Sequence, residues 1–202
     1  MLQGALGEID RLSLLVRDLL DLARIQSESG AVGAEGRTEM RPLSCRALVL
    51  PLVAAVTPRL QAKRLELEVT VPPEIRIVGD EQRLAQALMN LLDNAIRCSP
   101  EGGRLSLTAA CRGGEAEISL SDSGPGIPEA DLPYIFERFY TVNKARSRDP
   151  REPGGGTGLG LAITRSILER HGGTILVSGG SEGGTTFTLR LPRPAAASGA
   201  EA

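Results

Sequence analysis

Residues 6–27 carry a heptad-like seam, with Ile9, Leu12, Val16, Leu19, Ala23 and Gln26 spaced 3, 4, 3, 4 and 3. Leu15, Leu20 and Leu22 broaden that stripe beyond a two-stranded coil, towards a helix bundle. Arg11, Arg17, Asp18, Asp21 and Arg24 keep the opposite side wet. The pattern predicts an amphipathic helix, the main part of a segment 1–27, that must cover its apolar side with a partner on this chain or another. Residues 28–37 are rich in glycine and read as a linker. A separate body follows over 38–192, and 193–202 reads as a disordered Ala/Pro/Ser tail.

Within the body the periodicity changes from element to element. "TEMRP" at 38–42 predicts a short strand, and 44–62 a helix limited by Pro51 and Pro58. "LELEVTV" at 65–71 alternates as a strand should and stops at Pro72-Pro73; "IRIVG" is a short strand. Asp80 is placed to cap a helix over 81–98, with Leu84, Leu88, Leu91, Leu92 and Ala95 on its apolar face and Pro100 beyond its end. "GRLSLTAACR" and "EAEISLSD" flank Gly113-Gly114, a hairpin signal. Residues 141–157 are polar, basic and glycine-rich and read as a loop. A helix over 158–171 closes at Gly172-Gly173, with His171 as an ordinary C-terminal capping residue. "TILVSG" and "TTFTLRLP" predict a second hairpin. Helices and antiparallel hairpins without regular alternation point to an α/β two-layer sandwich. Its sheet is mixed, mostly antiparallel and packed on helices, rather than doubly wound and parallel.

Composition narrows the function classes. A net charge of -2 provides no basic surface for nucleic acid, and 2% aromatics without Trp provide no base-stacking platform. No apolar run reaches the roughly 18 residues of a membrane span, and no signal peptide is visible, so a cytoplasmic segment without membrane contact is expected. Three cysteines lack metal-site spacing and there is one histidine, which excludes a multi-histidine metal site or a two-histidine mechanism within one chain.

Four segments carry candidate chemistry. On the helix 81–98, Asn90, Asn94 and Arg97 align at i, i+4 and i+7, a polar line on a core helix. Amide oxygens suit a hard cation such as Mg2+ and a guanidinium suits phosphate; a merely solvated face is the alternative. In "SDSGPGIP", Asp122 is in phase with the apolar Ala116, Ile118 and Leu120, while Gly124 and Gly126 permit close backbone approach. A carboxylate there needs a partner, such as an exocyclic amine, unless it caps its own Asp-Ser-Gly turn. In "PGGGTGLGLAITRSI", glycines 154, 155, 156, 158 and 160 lead into a helix whose N-terminal amides suit an anion, or else form a hinge. In "IFERFYTVNKARSRDPREP", Phe136, Phe139 and Tyr140 precede Lys144, Arg146, Arg148 and Arg151. This reads as a lid with phosphate-facing charges, or as core aromatics beside a solvated basic loop.

The order and spacing of these segments resemble the ATP-binding domain of bacterial sensor histidine kinases, within the ATPase superfamily shared with the Hsp90 chaperone, DNA gyrase B and MutL. "LMNLLDNAIRCS" looks like the N box, "DSGPGI" the G1 box, "IFERFY" the F box and "GTGLGLAI" the G2 box. "RLSLLVRDLLDLARI" is similar to the second helix of that family's dimerisation domain. The resemblance implies the Bergerat ATP-binding fold, ATP and Mg2+ as cofactors, a homodimer through the N-terminal helix, and a response regulator receiver domain as partner. It further implies that Asn94 holds Mg2+, that Asn90 and Arg97 act beside the phosphates, and that Asp122 accepts the adenine amino group. Gly124, Gly126 and Ile127 would shape the pocket, with Phe139, Tyr140 and Lys144 on the lid and Gly156, Thr157, Gly158, Leu159 and Gly160 at its end. Two positions depart from the family's frequent choices: Cys98 stands where an aromatic is common and Thr141 where Arg is common. No residue matches the phosphoacceptor histidine, so a fragment of a longer kinase, or an acceptor on another protein, is expected. An anti-sigma-factor type serine kinase and a non-enzymatic nucleotide-gated interaction module are the competing readings.

Overall fold

The computed structural model describes residues 40–142, 157–179 and 183–194, together with Ser13, Leu15, Val16, Asp18, Leu19, Leu20 and Ala23. In chain order its elements are β1 (Arg41–Ser44), α1 (Cys45–Ala62), β2 (Glu66–Thr70), β3 (Arg76–Gly79), α2 (Glu81–Cys98), β4 (Arg104–Arg112) and β5 (Glu115–Asp122). After these come α3 (Gly160–Arg170), β6 (Thr174–Gly179) and β7 (Thr185–Pro192). Five strands form one sheet in the order β2-β4-β5-β7-β6, and β1 and β3 form a separate two-stranded ribbon. The β2–β4 pair is parallel and the other pairs are antiparallel, so the sheet is mixed and mostly antiparallel as its hairpins predict.

Alternation decides which side of the sheet the helices cover. Ala116, Ile118 and Leu120 of β5 and Phe187, Leu189 and Leu191 of β7 are buried. The intervening hydroxyls pair across the other face, Ser119 with Thr188 at 3.0 Å and Ser121 with Thr186 at 2.8 Å. α2 lays Leu84, Leu88, Leu91, Leu92 and Ala95 into the same core, each buried leucine contributing roughly 1.5–3 kcal/mol. Asp80 caps α2 by accepting the Arg83 N–H at 2.9 Å. The β4–β5 turn places Gly113 at φ 57 and Gly114 at φ 88, both positive as a two-residue hairpin turn of this hand requires. The resulting registers set Asp122 opposite Leu105 on one side and Thr185 on the other.

One expectation fails. Pro51 and Pro58 do not limit the first helix; α1 runs through both. The prolines are exposed, and so are Ala47 and Ala54, the residues four positions before each. The carbonyls deprived of helix donors therefore belong to the wet side of α1, where water can replace the lost bonds.

The chain's single histidine joins two helix ends. Buried His171 is the C-cap residue of α3; its Nδ1 lies 2.7 Å from the Ile167 carbonyl and its Nε2 accepts the Asp80 N–H at 3.0 Å. That pairing requires a neutral ring with the proton on Nδ1. Burial pushes the imidazole below its ordinary value of 6.5, while the Ile167 carbonyl and the Asp80 charge pull it up and Arg170 pushes it down. Because the folded value is the lower one, the unfolded chain binds the proton first. The stability contributed by the neutral ring is whole above about 6.5 and is lost as the pH falls towards and through the folded value. No other side chain ordinarily titrates in that window. The melting temperature is thus expected to drop between about pH 7.5 and about pH 5.5, and the drop to shrink in His171→Asn, whatever that variant's baseline. Equal drops in both proteins, read by circular dichroism melts, would refute this role.

The described residues of the N-terminal segment are helical. Leu15 is half-buried against the core, whereas Val16, Leu19 and Ala23 of the seam are exposed. The linker at 28–37, Lys144, Arg146, Arg148, Arg151 and glycines 154–156 lie outside the described residues, as does the tail from 195.

Candidate functional site

α2 is the spine of the site, and three other segments touch it or each other around its polar line. Near its middle, the half-buried Asn90 donates its amide to the Gly160 carbonyl at 3.2 Å, tying α2 to the first residue of α3. One turn later Asn94 accepts from Arg97 at 2.7 Å, and the Cys98 thiol lies 3.9 Å from the same amide oxygen. Arg97 and Cys98 are exposed. At the end of α2 the Cys98 carbonyl sits only 3.1 Å from where a Cβ on Gly124 would be, so glycine is what lets the turn after β5 close on the helix.

That turn is built around Asp122, whose half-buried carboxylate accepts the Gly124 N–H at 2.8 Å. The turn-capping alternative is therefore realised, and it engages Oδ1 of the carboxylate. Burial raises the Asp122 pKa above its ordinary 3.8, and the backbone N–H groups of Gly124 and Thr185 oppose the rise. A carboxylate held in a partly desolvated place by backbone donors is suited to accept one more polar hydrogen from a ligand. Gly126, at φ +79, and Ile127 continue the turn into a cleft of about 450 Å3, lined also by Asp131, Val142, Gly183 and Gly184. Neither Asn94 nor Asp122 lines this cleft, so it flanks the polar line rather than containing it.

The aromatic segment is a series of turns. Phe136 is half-buried against the core, Phe139 is 57% exposed, and Tyr140 packs 5.7 Å from the Tyr134 ring. The Tyr140 hydroxyl donates to Asp131, and that bond is the first cause of the rise of its pKa above the ordinary 10.0. Phe139 N–H donates to the Gly158 carbonyl at 2.9 Å, so the segments on either side of 143–156 are pinned together. Thr157 accepts the Leu159 N–H at 3.2 Å and donates to Asp18 of the N-terminal helix at 2.6 Å. Leu159 is fully buried at the start of α3, and no described side chain caps that helix, an arrangement whose first amides suit an anion.

The reading from sequence omitted two contributors. Thr185, buried opposite Asp122, holds its carboxylate through a backbone N–H. Gly184 donates to the Gly124 carbonyl at 2.7 Å, and a Cβ there would lie 2.2 Å from the Asp122 carbonyl oxygen. The Gly-Gly-Thr preceding the last strand was the available signal, because only glycine could lie so close to the Asp122 turn.

Comparison with known proteins decides the family. The model described as "Histidine kinase-, DNA gyrase B-, and HSP90-like ATPase" matches residues 79–195, more than half of the chain. The chain belongs to that family. Among its relatives, the sensor-like histidine kinase SenX3 of Mycobacterium bovis is 37% identical over 190 residues, covering 94% of this chain and 44% of its own. The signal transduction histidine-protein kinase BaeS of Escherichia coli is 34% identical over 186 residues, covering 92% of this chain and 38% of its own. The chain thus spans less than half the length of these curated relatives. Among solved structures, full-length ShkA in complex with AMPPNP superposes with a TM-score of 0.73 at 30% identity, covering 93% of this chain and 37% of that one. Histidine kinase ThkA in complex with the response regulator protein TrrA superposes with a TM-score of 0.71 at 25% identity, covering 93% and 48%. The mixed sheet packed on helices is the fold of these histidine kinase ATPase structures. No helix among the described residues is long and apolar enough to cross a membrane.

Proposed function

We propose that this chain binds Mg-ATP along α2 and transfers the γ-phosphoryl group to a histidine on a separate dimerisation domain of a two-component system. The observation that carries the reading is that contacts link all four motifs: α2 meets the two glycine-rich segments through Asn90 on Gly160 and Cys98 on Gly124, and the aromatic segment joins them through Phe139 on Gly158. In this reading Asp122 accepts the adenine amino hydrogen, Gly126 and Ile127 border the ring, and Arg97, Asn90 and the amides of α3 face the phosphates.

The donor chemistry fits a magnesium ion carried in with the nucleotide. Among the described residues no cluster of three His, Cys, Asp or Glu side chains could hold a metal. Mg2+ takes oxygen ligands, keeps several waters and leans on substrate phosphates, so one amide oxygen from Asn94 suffices. The ion supplies charge neutralisation of the phosphates. Asn94, which now accepts from the exposed Arg97 on the same face, would be free to hold the ion once that guanidinium bound phosphate instead. The protein's own part is positioning and electrostatic preorganisation: a fixed carboxylate for the base, fixed amides and a guanidinium for the anion. The exposed seam of Val16, Leu19 and Ala23 supports a homodimer through the N-terminal helix, with a response regulator receiver domain as the downstream partner.

The test mixes the full chain with Mg-ATP and a protein carrying an acceptor-histidine helix. Acid-labile, base-stable phosphate on that helix is expected, and Asn94→Ala is expected to abolish the Mg2+ dependence of transfer. Acid-stable phosphoserine would favour the serine-kinase reading, and tight nucleotide binding without transfer to any acceptor would overturn the kinase assignment.

A further inference from the structure

α2 ends unusually well tied, and the tie comes from a residue outside all four motifs. Lys63, the C-cap residue of α1, donates through Nζ to the carbonyls of Ile96 at 2.8 Å and Arg97 at 3.0 Å. The Ser99 backbone N–H and hydroxyl both reach the Ala95 carbonyl, at 3.0 and 2.8 Å. Three of the four carbonyls a helix leaves without partners are thereby satisfied. The fourth, on Cys98, is the one seated against Gly124. The loop that follows is bound to the same lysine from the other direction, since the Gly102 N–H donates to the Lys63 carbonyl at 3.1 Å. Beyond it the Arg104 N–H reaches the Ser123 hydroxyl at 2.8 Å, next to the Asp122 turn. Arg59, one helical turn before Lys63, pairs with Asp93 beside Asn94.

We infer that Lys63 is a positioning residue for the nucleotide site. It fixes the last turn of α2, with Asn94, Arg97 and Cys98, against the turn holding Asp122, and so sets the separation between the phosphate-facing and base-facing halves. It touches no ligand. Its ammonium also offsets the negative end of α2 next to the residues that receive an anion. This rests on the nucleotide reading of α2.

The experiment measures Mg-ATP and adenosine affinity by calorimetry for the full-length chain and for Lys63→Met and Lys63→Arg, each well below its melting temperature. Lys63→Met is expected to weaken Mg-ATP about tenfold and adenosine much less, because the ligand spanning both halves feels the lost alignment. Lys63→Arg, which keeps charged donors, is expected to return Mg-ATP affinity to within about twofold of wild type. If Lys63→Met does not fold, Lys63→Gln, which keeps most of the stem, carries the same comparison. A merely structural lysine would lower the melting temperature and leave the affinity of folded protein unchanged; that outcome, or equal loss in the Met and Arg variants, overturns the inference. Failure of the wild-type chain to bind Mg-ATP would instead overturn the nucleotide reading itself.

Discussion

Replacing Asp122 with Asn is expected to cut ATP affinity at least about tenfold while leaving the melting temperature at neutral pH unchanged or slightly higher. The two effects have opposite signs because, in the proposed reading, the carboxylate serves the ligand at a cost to the fold. Burial holds its folded pKa above 3.8, so any stability linked to protonation is whole below that value and lost as the pH rises through the folded one. At neutral pH the ionised group therefore penalises folding, and a neutral isostere relieves the penalty. Asn can still accept the Gly124 N–H through its oxygen, as Asp122 does at 2.8 Å. What Asn cannot reproduce is a second acceptor, since an amide nitrogen would point a donor at the adenine amino group. The lost charge-assisted bond is worth roughly 1.5–3 kcal/mol, before the donor–donor contact is counted. Guanine carries a carbonyl where adenine carries its amine, so discrimination between ATP and GTP should narrow in the same variant. Calorimetry with both nucleotides, alongside a thermal melt, reads all three quantities. An unchanged ATP affinity in a folded Asp122→Asn protein would remove Asp122 from the base-binding role.

Asp122 also shows where sequence reading stops. Its phase with Ala116, Ile118 and Leu120 made a buried carboxylate legible, because strand alternation is a local property. Its neighbour Thr185 was not legible, since it meets Asp122 only through a register between strands more than 60 residues apart. The same division runs through the molecule. α2, its Asp80 cap and the Gly113-Gly114 hairpin follow from periodicity and turn chemistry over a few residues. The continuation of α1 through two prolines depends on which side of the helix faces water, which is a tertiary fact. Lys63 lies at the end of an ordinary helix and acquires its role only where α1 and α2 end side by side. His171 reads as a helix cap and is one, but its second nitrogen serves the N-cap residue of a helix 91 positions earlier.

A methyl group added at Gly158 is expected to cost much of the site's function. Gly158 sits at φ +72, where a side chain strains the backbone by roughly 1–2 kcal/mol. The added Cβ would also lie 2.7 Å from the Phe139 carbonyl carbon, 2.8 Å from its Cα and 3.0 Å from the Tyr140 carbonyl oxygen. All three are backbone atoms, so no side-chain rotation relieves the clash. The opposing segment of this contact is already strained, because Phe139 is a non-glycine residue at φ 62 and is mostly exposed. Its N–H bond to the Gly158 carbonyl, 2.9 Å long, is the described contact that holds the two segments together. Gly158→Ala should therefore break the pin and displace Leu159 and Gly160, and with them the Asn90 bond that ties α2 to α3. The expected result is a more than about tenfold loss of Mg-ATP affinity, together with a fall in melting temperature because fully buried Leu159 is displaced from the core. Phe139→Gly relieves the strain at 139 yet keeps the backbone atoms that collide. The double variant should accordingly remain as impaired as Gly158→Ala alone. Recovery in the double variant would place the fault in the phenylalanine's conformation, and wild-type affinity in Gly158→Ala would show that the pinned contact does not shape the site.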